Sequence, residues 1–342
     1  MRANPAVTCA LLVLAAIAAT FIPPRHPVPA STAAREHSIR VGLVFDIGGR
    51  GDKSFNDSAY QGLERAQNEL DIGIRFLEPV GSEDREAALR LFAAQGLDLV
   101  IAVGFIFTSD VDSVARAYPA VHFACVDYAG AEATMPPNVV GLTFREQEGS
   151  FLVGAVAGLL SKSHAVGFVG GMTIPLIRKF EAGYVEGVHA SCPACVVHSA
   201  YAGSTPDAFK DPARGRSLAA FEIAAGADVL FHASGATGHG VFEGAREAGV
   251  LAIGVDSDEY DDLPGTVVTS MVKRVDVAVY ESIKAAANGR FRGGLRSFGL
   301  ADEGVDYVHE GPHAAGIPEA VKARVAGFRA EVIAGARRVP AE

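Results

Sequence analysis

The chain has 342 residues, 49% of them hydrophobic, which is enough apolar material for about two packed domains. Lys and Arg total 30 against 40 Asp and Glu, and the resulting net charge of −10 argues against nucleic acid as a partner. With 38 Gly, no Trp and 8% aromatic residues, the composition suits α/β units with tight turns and disfavours a propeller or an immunoglobulin-like sandwich.

Residues 1–30 read as a secretory signal. Arg2 supplies the early positive charge, 7–22 are almost wholly apolar, and Val28-Pro29-Ala30 offers small residues for cleavage after Ala30. An uncleaved anchor is the alternative, because roughly 16 apolar residues are slightly short for a bilayer span. Cleavage would remove Arg2 and Arg25 and no acid, taking the charge from −10 to −12. Cys9 lies early in the apolar run, a poor position for a lipidated mature N-terminus. No later stretch is long and apolar enough to cross a bilayer.

From Ile39 onward, apolar runs at 39–45, 97–103, 121–126, 139–142, 165–169, 196–201, 229–232, 251–255 and 266–271 alternate with segments of helical period. The helices are expected at about 54–70, 84–95, 109–117, 146–161, 174–190, 212–225, 239–248 and 273–288. Several runs are continuously apolar, as in parallel strands covered on both faces, so the fold class is α/β with doubly wound parallel sheets. About 300 residues of such units exceed one comfortable sheet. Two lobes are expected, one over 39–144 with about 273–295 returning to it, the other over 145–272 with part of 296–342.

Several motifs fail on physical grounds. Gly48-Gly-Arg-Gly51-Asp52-Lys53-Ser54 resembles a phosphate loop, but Asp52 would repel the phosphate. Gly235-Ala-Thr-Gly238-His-Gly240 has the glycines of a dinucleotide turn in the wrong order. His309-Glu-Gly-Pro-His313 matches a zinc-protease string, yet Gly311 and Pro312 break the helix that chemistry requires. Cys192-Pro-Ala-Cys195 falls in a helix-to-strand loop, where a small structural disulfide is favoured over a catalytic dithiol, and Cys125 reads as a buried thiol. No residue set points to a catalytic centre, a resident metal or a cofactor.

What remains is a set of residues just after predicted strands: Asp46, Asp127, Gly235, Asp256 and Lys273, with Phe55 and Asn56 opening the first helix and Phe209 in the loop after 196–201. Singly, each Asp or Asn can cap a turn and each Phe can pack in a core. Together at strand carboxyl ends they indicate a small-molecule cleft between two lobes.

Asp52-Lys-Ser-Phe-Asn56, Glu148-Gly-Ser-Phe-Leu-Val-Gly154, Gly167-Phe-Val-Gly-Gly-Met172, Phe180-Glu-Ala-Gly-Tyr-Val-Glu-Gly187, Gly226-Ala-Asp-Val-Leu-Phe231, Ile253-Gly-Val-Asp256 and Thr269-Ser-Met-Val-Lys-Arg-Val-Asp276 resemble the basic membrane protein family. Members are extracytoplasmic, purine-nucleoside-binding components of ABC importers. The resemblance runs in order from about Ile39 to about Asp306. It implies a type I periplasmic-binding-protein fold closing by hinge motion on a nucleoside, and a monomer that meets an ABC permease in the membrane. By position, Phe55 and Phe209 would enclose the base, Asn56 and Asp127 would bond its edge, and Asp256 and Lys273 would hold the ribose. Gly235 would approach closely and Asp46 would lie on the cleft floor. Lys273 is expected to neutralise Asp256. The alternatives are a nucleoside-cleaving enzyme with an acidic cleft and a ligand-sensing domain for a membrane partner.

Overall fold

The computed structural model describes residues 38–79 and 84–342. The expected signal at 1–30, its cleavage point and Cys9 lie outside the described residues. Among the described residues, no helix is long and apolar enough to cross a membrane.

Two six-stranded sheets organise the chain. The first contains β1 (Arg40–Val44), β2 (Gly73–Leu77), β3 (Leu99–Val103), β4 (His122–Val126), β5 (Val139–Phe144) and, from far along the chain, β11 (Gly294–Phe298), in the order β11-β5-β4-β3-β1-β2. Every pairing in it is parallel. The second contains β6 (Ala165–Met172), β7 (Val196–Gly203), β8 (Val229–Ala233), β9 (Leu251–Asp256), β10 (Val267–Lys273) and β12 (Val305–Tyr307), in the order β12-β10-β9-β8-β6-β7. Only β12 runs antiparallel, against β10. The continuous apolar runs explain this architecture. Leu99–Val103 and Val229–Ala233 are buried at every position, as strands between two helical layers must be.

Nine α-helices fill the connections among the described residues: α1 (Phe55–Leu70), α2 (Asp84–Ala94), α3 (Thr108–Ala117), α4 (Glu146–Leu160), α5 (Pro175–Ser191), α6 (Pro212–Ala224), α7 (Thr237–Ala248), α8 (Val275–Ala287) and α9 (Glu319–Ile333). Asp52 starts the first of these. Its carboxylate accepts from the backbone N–H groups of Ser54, Asn56 and Asp57, donors that a helix N-terminus otherwise leaves unpaired. The α4–α5 pair is held at glycines. A Cβ at Gly154 would stand 2.2 Å from the Tyr184 carbonyl oxygen and one at Gly187 would stand 2.0 Å from that of Phe151, so only glycine permits this backbone approach.

The chain passes between the sheets after Phe144, after Lys273 and after Phe298. Backbone bonds from Arg145 N to Phe298 O (2.8 Å) and from Arg274 N to Gly304 O (2.9 Å) tie these crossings together. The helix α8 that follows the second crossing returns to the first sheet and lies so close to α1 that a Cβ at Gly62 would be 2.3 Å from the Asp276 carbonyl oxygen.

Four elements were not anticipated. Strands β2 and β11 are edge strands with several half-buried or exposed positions, and β12 has three residues, so none makes an apolar run. The helix α9 buries only Val325, Phe328 and Val332, a thin stripe on a segment of alanines and charged residues.

Candidate functional site

The carboxyl ends of both sheets face one cavity between the lobes, and all eight residues singled out from the sequence line it: Asp46, Phe55, Asn56, Asp127, Phe209, Gly235, Asp256 and Lys273. Each sheet changes its winding direction here, between β1 and β3 in one lobe and between β6 and β8 in the other. Loops after such strands diverge and leave a crevice.

Asp46 follows β1, and burial pushes its carboxyl up from 3.8 to about 7. Gly104, after β3, has φ 106°, and a Cβ there would lie 2.0 Å from Asp46 Oδ2, so a side chain at 104 would displace the carboxylate. The backbone N–H of Asp46 donates to Asn56 Oδ1 (2.9 Å), and Asn56 Nδ2 donates to Asp52 Oδ2 (3.0 Å). The Asn56 amide is therefore oriented from both ends by the protein.

Asp127 and Asp256 occupy equivalent places, at the carboxyl ends of β4 and β9, and both have left-handed backbones with φ of 58° and 64°. This conformation is uncommon outside glycine, and here it turns two carboxylates into the cavity. Asp256 Oδ1 is buried with no hydrogen-bond partner among the described residues. Burial, opposed by Lys273 and reinforced by the charges of Asp127, Glu259 and Asp52, raises the Asp256 carboxyl to about 7.

Lys273 corrects the expected pairing. Its Nζ stands 2.7 Å from each Asp127 oxygen, donating to Oδ2, and 3.4 Å from Glu146 Oε1. Asp256 acts on it only from farther away. The cause is the meeting of the lobes: the end of β10 points across the cleft, where Asp127 of the opposite sheet presents its carboxylate. The ammonium also lies 5.0 Å from the Phe144 ring centroid and 5.2 Å from that of Phe55. Burial alone would pull the lysine down, but Asp127, Glu146 and Asp256 outweigh it and hold Lys273 above its ordinary value. Glu146, at the first turn of α4, is fully buried and meets a second cation, with Lys179 Nζ 3.3 Å from Oε2.

The Phe209 ring rests on glycine. A Cβ at Gly171 would lie 2.2 Å from the ring, and one at Gly235 (φ 54°) would lie 3.1 Å from the Phe209 carbonyl oxygen. The motif glycine at 171 thus makes room for an aromatic face. Phe105, after β3, sits 6.3 Å from Phe209, centroid to centroid, and Phe180 projects from α5. Phe105, Phe180, Asp52 and Glu146 were missed as site-forming residues. Asp52 and Phe180 stood inside quoted motifs, whereas Phe105 follows a predicted strand just as the recognised residues do.

The lobes touch at the cavity's lip. Ser54 Oγ donates to the Val255 carbonyl (2.8 Å), Ser257 Oγ donates to the Ser54 carbonyl (3.2 Å), and Lys53 Nζ pairs with Asp262 (2.7 Å). The lysine of the apparent phosphate loop is thus committed to an interlobe ion pair. His313 of the zinc-protease string lies in a short 3₁₀ turn, bonded to Asp258 at 2.7 Å and stacked on Tyr260. Cys192 and Cys195 form a disulfide, and Cys125 is a buried free thiol.

Aromatic faces and carboxylates around a cavity whose buried ammonium is already paired can take up a flat, hydroxyl-rich, uncharged solute. Comparison with known proteins identifies a solute-binding protein. An uncharacterized lipoprotein of Pyrococcus horikoshii is 35% identical over 317 residues, spanning 90% of this chain and 77% of the relative. Basic membrane protein A of Borreliella burgdorferi is 33% identical over 273 residues, 79% of each chain. The crystal structure of an ABC transporter solute-binding protein from Aeropyrum pernix superposes with a TM-score of 0.79 at 30% identity, covering 89% of this chain and 94% of that one. A family model described as ABC transporter substrate-binding protein, PnrA-like, matches residues 39–315, so this chain belongs to the Bmp family of ABC transporter substrate-binding proteins.

Proposed function

We propose that this substrate-binding protein takes up a purine nucleoside outside the cytoplasm, after export by its N-terminal segment, and delivers it to an ABC permease. The observation that carries the reading is Asp256, a buried strand-end carboxylate with an oxygen unpartnered among the described residues, lining a cavity that Phe55 and Phe209 also line. A carboxylate can accept from two vicinal hydroxyls, and aromatic faces stack a purine. The lone lysine of this cavity is matched by Asp127 and Glu146, which leaves little positive charge for a phosphate. Nucleosides are therefore favoured over nucleotides.

Calorimetry on protein unfolded and refolded to strip bound ligand, titrated with adenosine, guanosine, inosine, uridine, AMP, sugars and amino acids, tests the proposal. Purine nucleosides should bind, and AMP much more weakly than adenosine. Binding of a sugar or amino acid with no nucleoside binding would overturn it. A nucleoside-cleaving enzyme is the second reading, favoured only by the acidic cavity. Incubation with inosine decides between them, since a binding protein returns inosine intact and a hydrolase releases hypoxanthine.

A further inference from the structure

At the far end of the second lobe, three soft or borderline donors converge that the ligand cavity does not use. His164 immediately precedes β6, and Cys195 immediately precedes β7. These strands are paired in parallel from their first residues, Ala165 with Val196, and the Val196 N–H donates to the His164 carbonyl at 2.9 Å. Cys192 ends α5 and turns into Cys195 through a Cys195 N–H to Cys192 carbonyl bond of 3.0 Å. The pairing of β6 with β7 thus sets the histidine beside the Cys-Pro-Ala-Cys turn. His164 Nδ1 lies 3.6 Å from Cys192 Sγ, and the donor atoms of all three residues lie within 4.8 Å of one another.

We propose that His164, Cys192 and Cys195 form a redox-gated site for a thiophilic cation, Zn²⁺ or Cu⁺, closed while the cysteines are joined and opened when they are reduced. A dithiol reductant supplies two electrons and two protons, converting the disulfide to two thiols while becoming a disulfide itself. Binding of the cation then displaces both thiol protons, giving two thiolate–metal bonds and one imidazole–metal bond. With zinc–sulfur bonds of about 2.3 Å and zinc–nitrogen bonds of about 2.0–2.1 Å, tetrahedral geometry places sulfur and nitrogen about 3.6 Å apart and the two sulfurs about 3.8 Å apart. The histidine is already at the required distance from Cys192. On reduction the sulfurs must part and Cys195 Sγ must settle about 3.6 Å from the imidazole, from a starting point within 4.8 Å, and the Cys-x-x-Cys spacing of the turn is that of zinc sites. Water completes the fourth position for Zn²⁺, while three donors suffice for Cu⁺. The site lies at the amino ends of strands whose carboxyl ends face the cavity. For the eight residues of β6 this is a separation of about 25 Å, so its occupation need not disturb the ligand site.

The test uses the full chain, reduced with a phosphine, desalted without oxygen and titrated with Co²⁺ as a spectroscopic stand-in for Zn²⁺. One equivalent should produce a thiolate-to-cobalt charge-transfer band that Zn²⁺ abolishes. The untreated disulfide form should give none. A Cys192→Ser, Cys195→Ser double variant, which keeps Cys9 and Cys125, should lose the band. His164→Ala should weaken Co²⁺ binding at least about tenfold and shift its ligand-field bands. A reduced wild-type protein without the band, or a His164→Ala variant with unchanged affinity and spectrum, would overturn the three-donor site.

Discussion

Among the described residues, replacing Lys273 by Met removes the only cation in direct contact with Asp127 and leaves Glu146 with Lys179 alone. At an effective dielectric near 20, the 2.7 Å contact contributes about 6 kcal/mol of attraction and the 3.4 Å contact about 5 kcal/mol. Desolvating three buried ions offsets most of that sum, but a variant lacking the lysine keeps the desolvation cost of the carboxylates without their partner. Loss of one member of a buried pair costs about 3–5 kcal/mol, and that range is expected for Lys273→Met at pH 8. The pH dependence gives the sharper check. Burial already holds Glu146 above its ordinary value, and losing the ammonium that lowers it raises it further, so the folded form of the variant binds an extra proton. Such a group favours folding at pH below the unfolded carboxylate value and loses that contribution as pH rises through the raised one. The destabilisation should therefore shrink by at least about 1–2 kcal/mol between pH 8 and pH 5, and Asp127→Asn in the Lys273→Met background should recover part of the loss at pH 8. Urea denaturation of wild type, single and double variants at both pH values measures this. A deficit below about 1 kcal/mol, or one identical at both pH values, would refute the electrostatic account of the cluster.

Asp256→Ala should weaken nucleoside binding at least about tenfold and abolish discrimination between ribonucleosides and 2′,3′-dideoxynucleosides, whereas wild type should discriminate strongly; calorimetry with both series reads this directly. Because the Asp256 carboxyl titrates near 7 and hydroxyl donors prefer its ionised form, affinity should climb by up to about tenfold from pH 6 to pH 8, a slope that Asp256→Asn flattens. Gly171→Val should push the Phe209 ring from its seat and weaken binding with little change in urea midpoint, since the clash is with a loop side chain. Gly187→Val, whose Cβ would meet the Phe151 carbonyl oxygen at 2.0 Å, should lower the midpoint markedly by forcing α4 and α5 apart.

Much of the site was legible because of where parallel strands end. Asp46, Asp127, Asp256 and Lys273 each follow or end a run of buried apolar residues, and a doubly wound sheet sends such positions to one edge. What a strand pattern does not encode is which residues of the two lobes meet. The motifs pair Lys273 with Asp256, since one ends a strand and the other follows the next, yet its contact is Asp127 of the first sheet. Glu146 was read only as a helix start, since nothing local reveals that the crossing after β5 brings it under Lys273. The edge strands β2 and β11 escaped notice because an edge may be half solvated and then needs no continuous apolar run.

The placement of Glu146 and Lys273 has a mechanical consequence. Each adjoins a crossing between the sheets, Glu146 just after Arg145 and Lys273 just before Arg274, so the buried charges sit near the pivot about which the lobes would rotate. Val255 pairs with Met271, two residues before Lys273, so the hydrogen bonds of Ser54 with Val255 and Ser257 lie beside the charged cluster, while Lys53 meets Asp262 farther out on the second lobe. Two hydrogen bonds of about 1 kcal/mol each and an exposed ion pair of at most about 1 kcal/mol make a weak latch. The lobes are thus joined by one strongly charged buried cluster and a few light polar contacts beside it. Under the proposed function, a solute that touches both lobes would add to these light contacts without having to displace the buried charges.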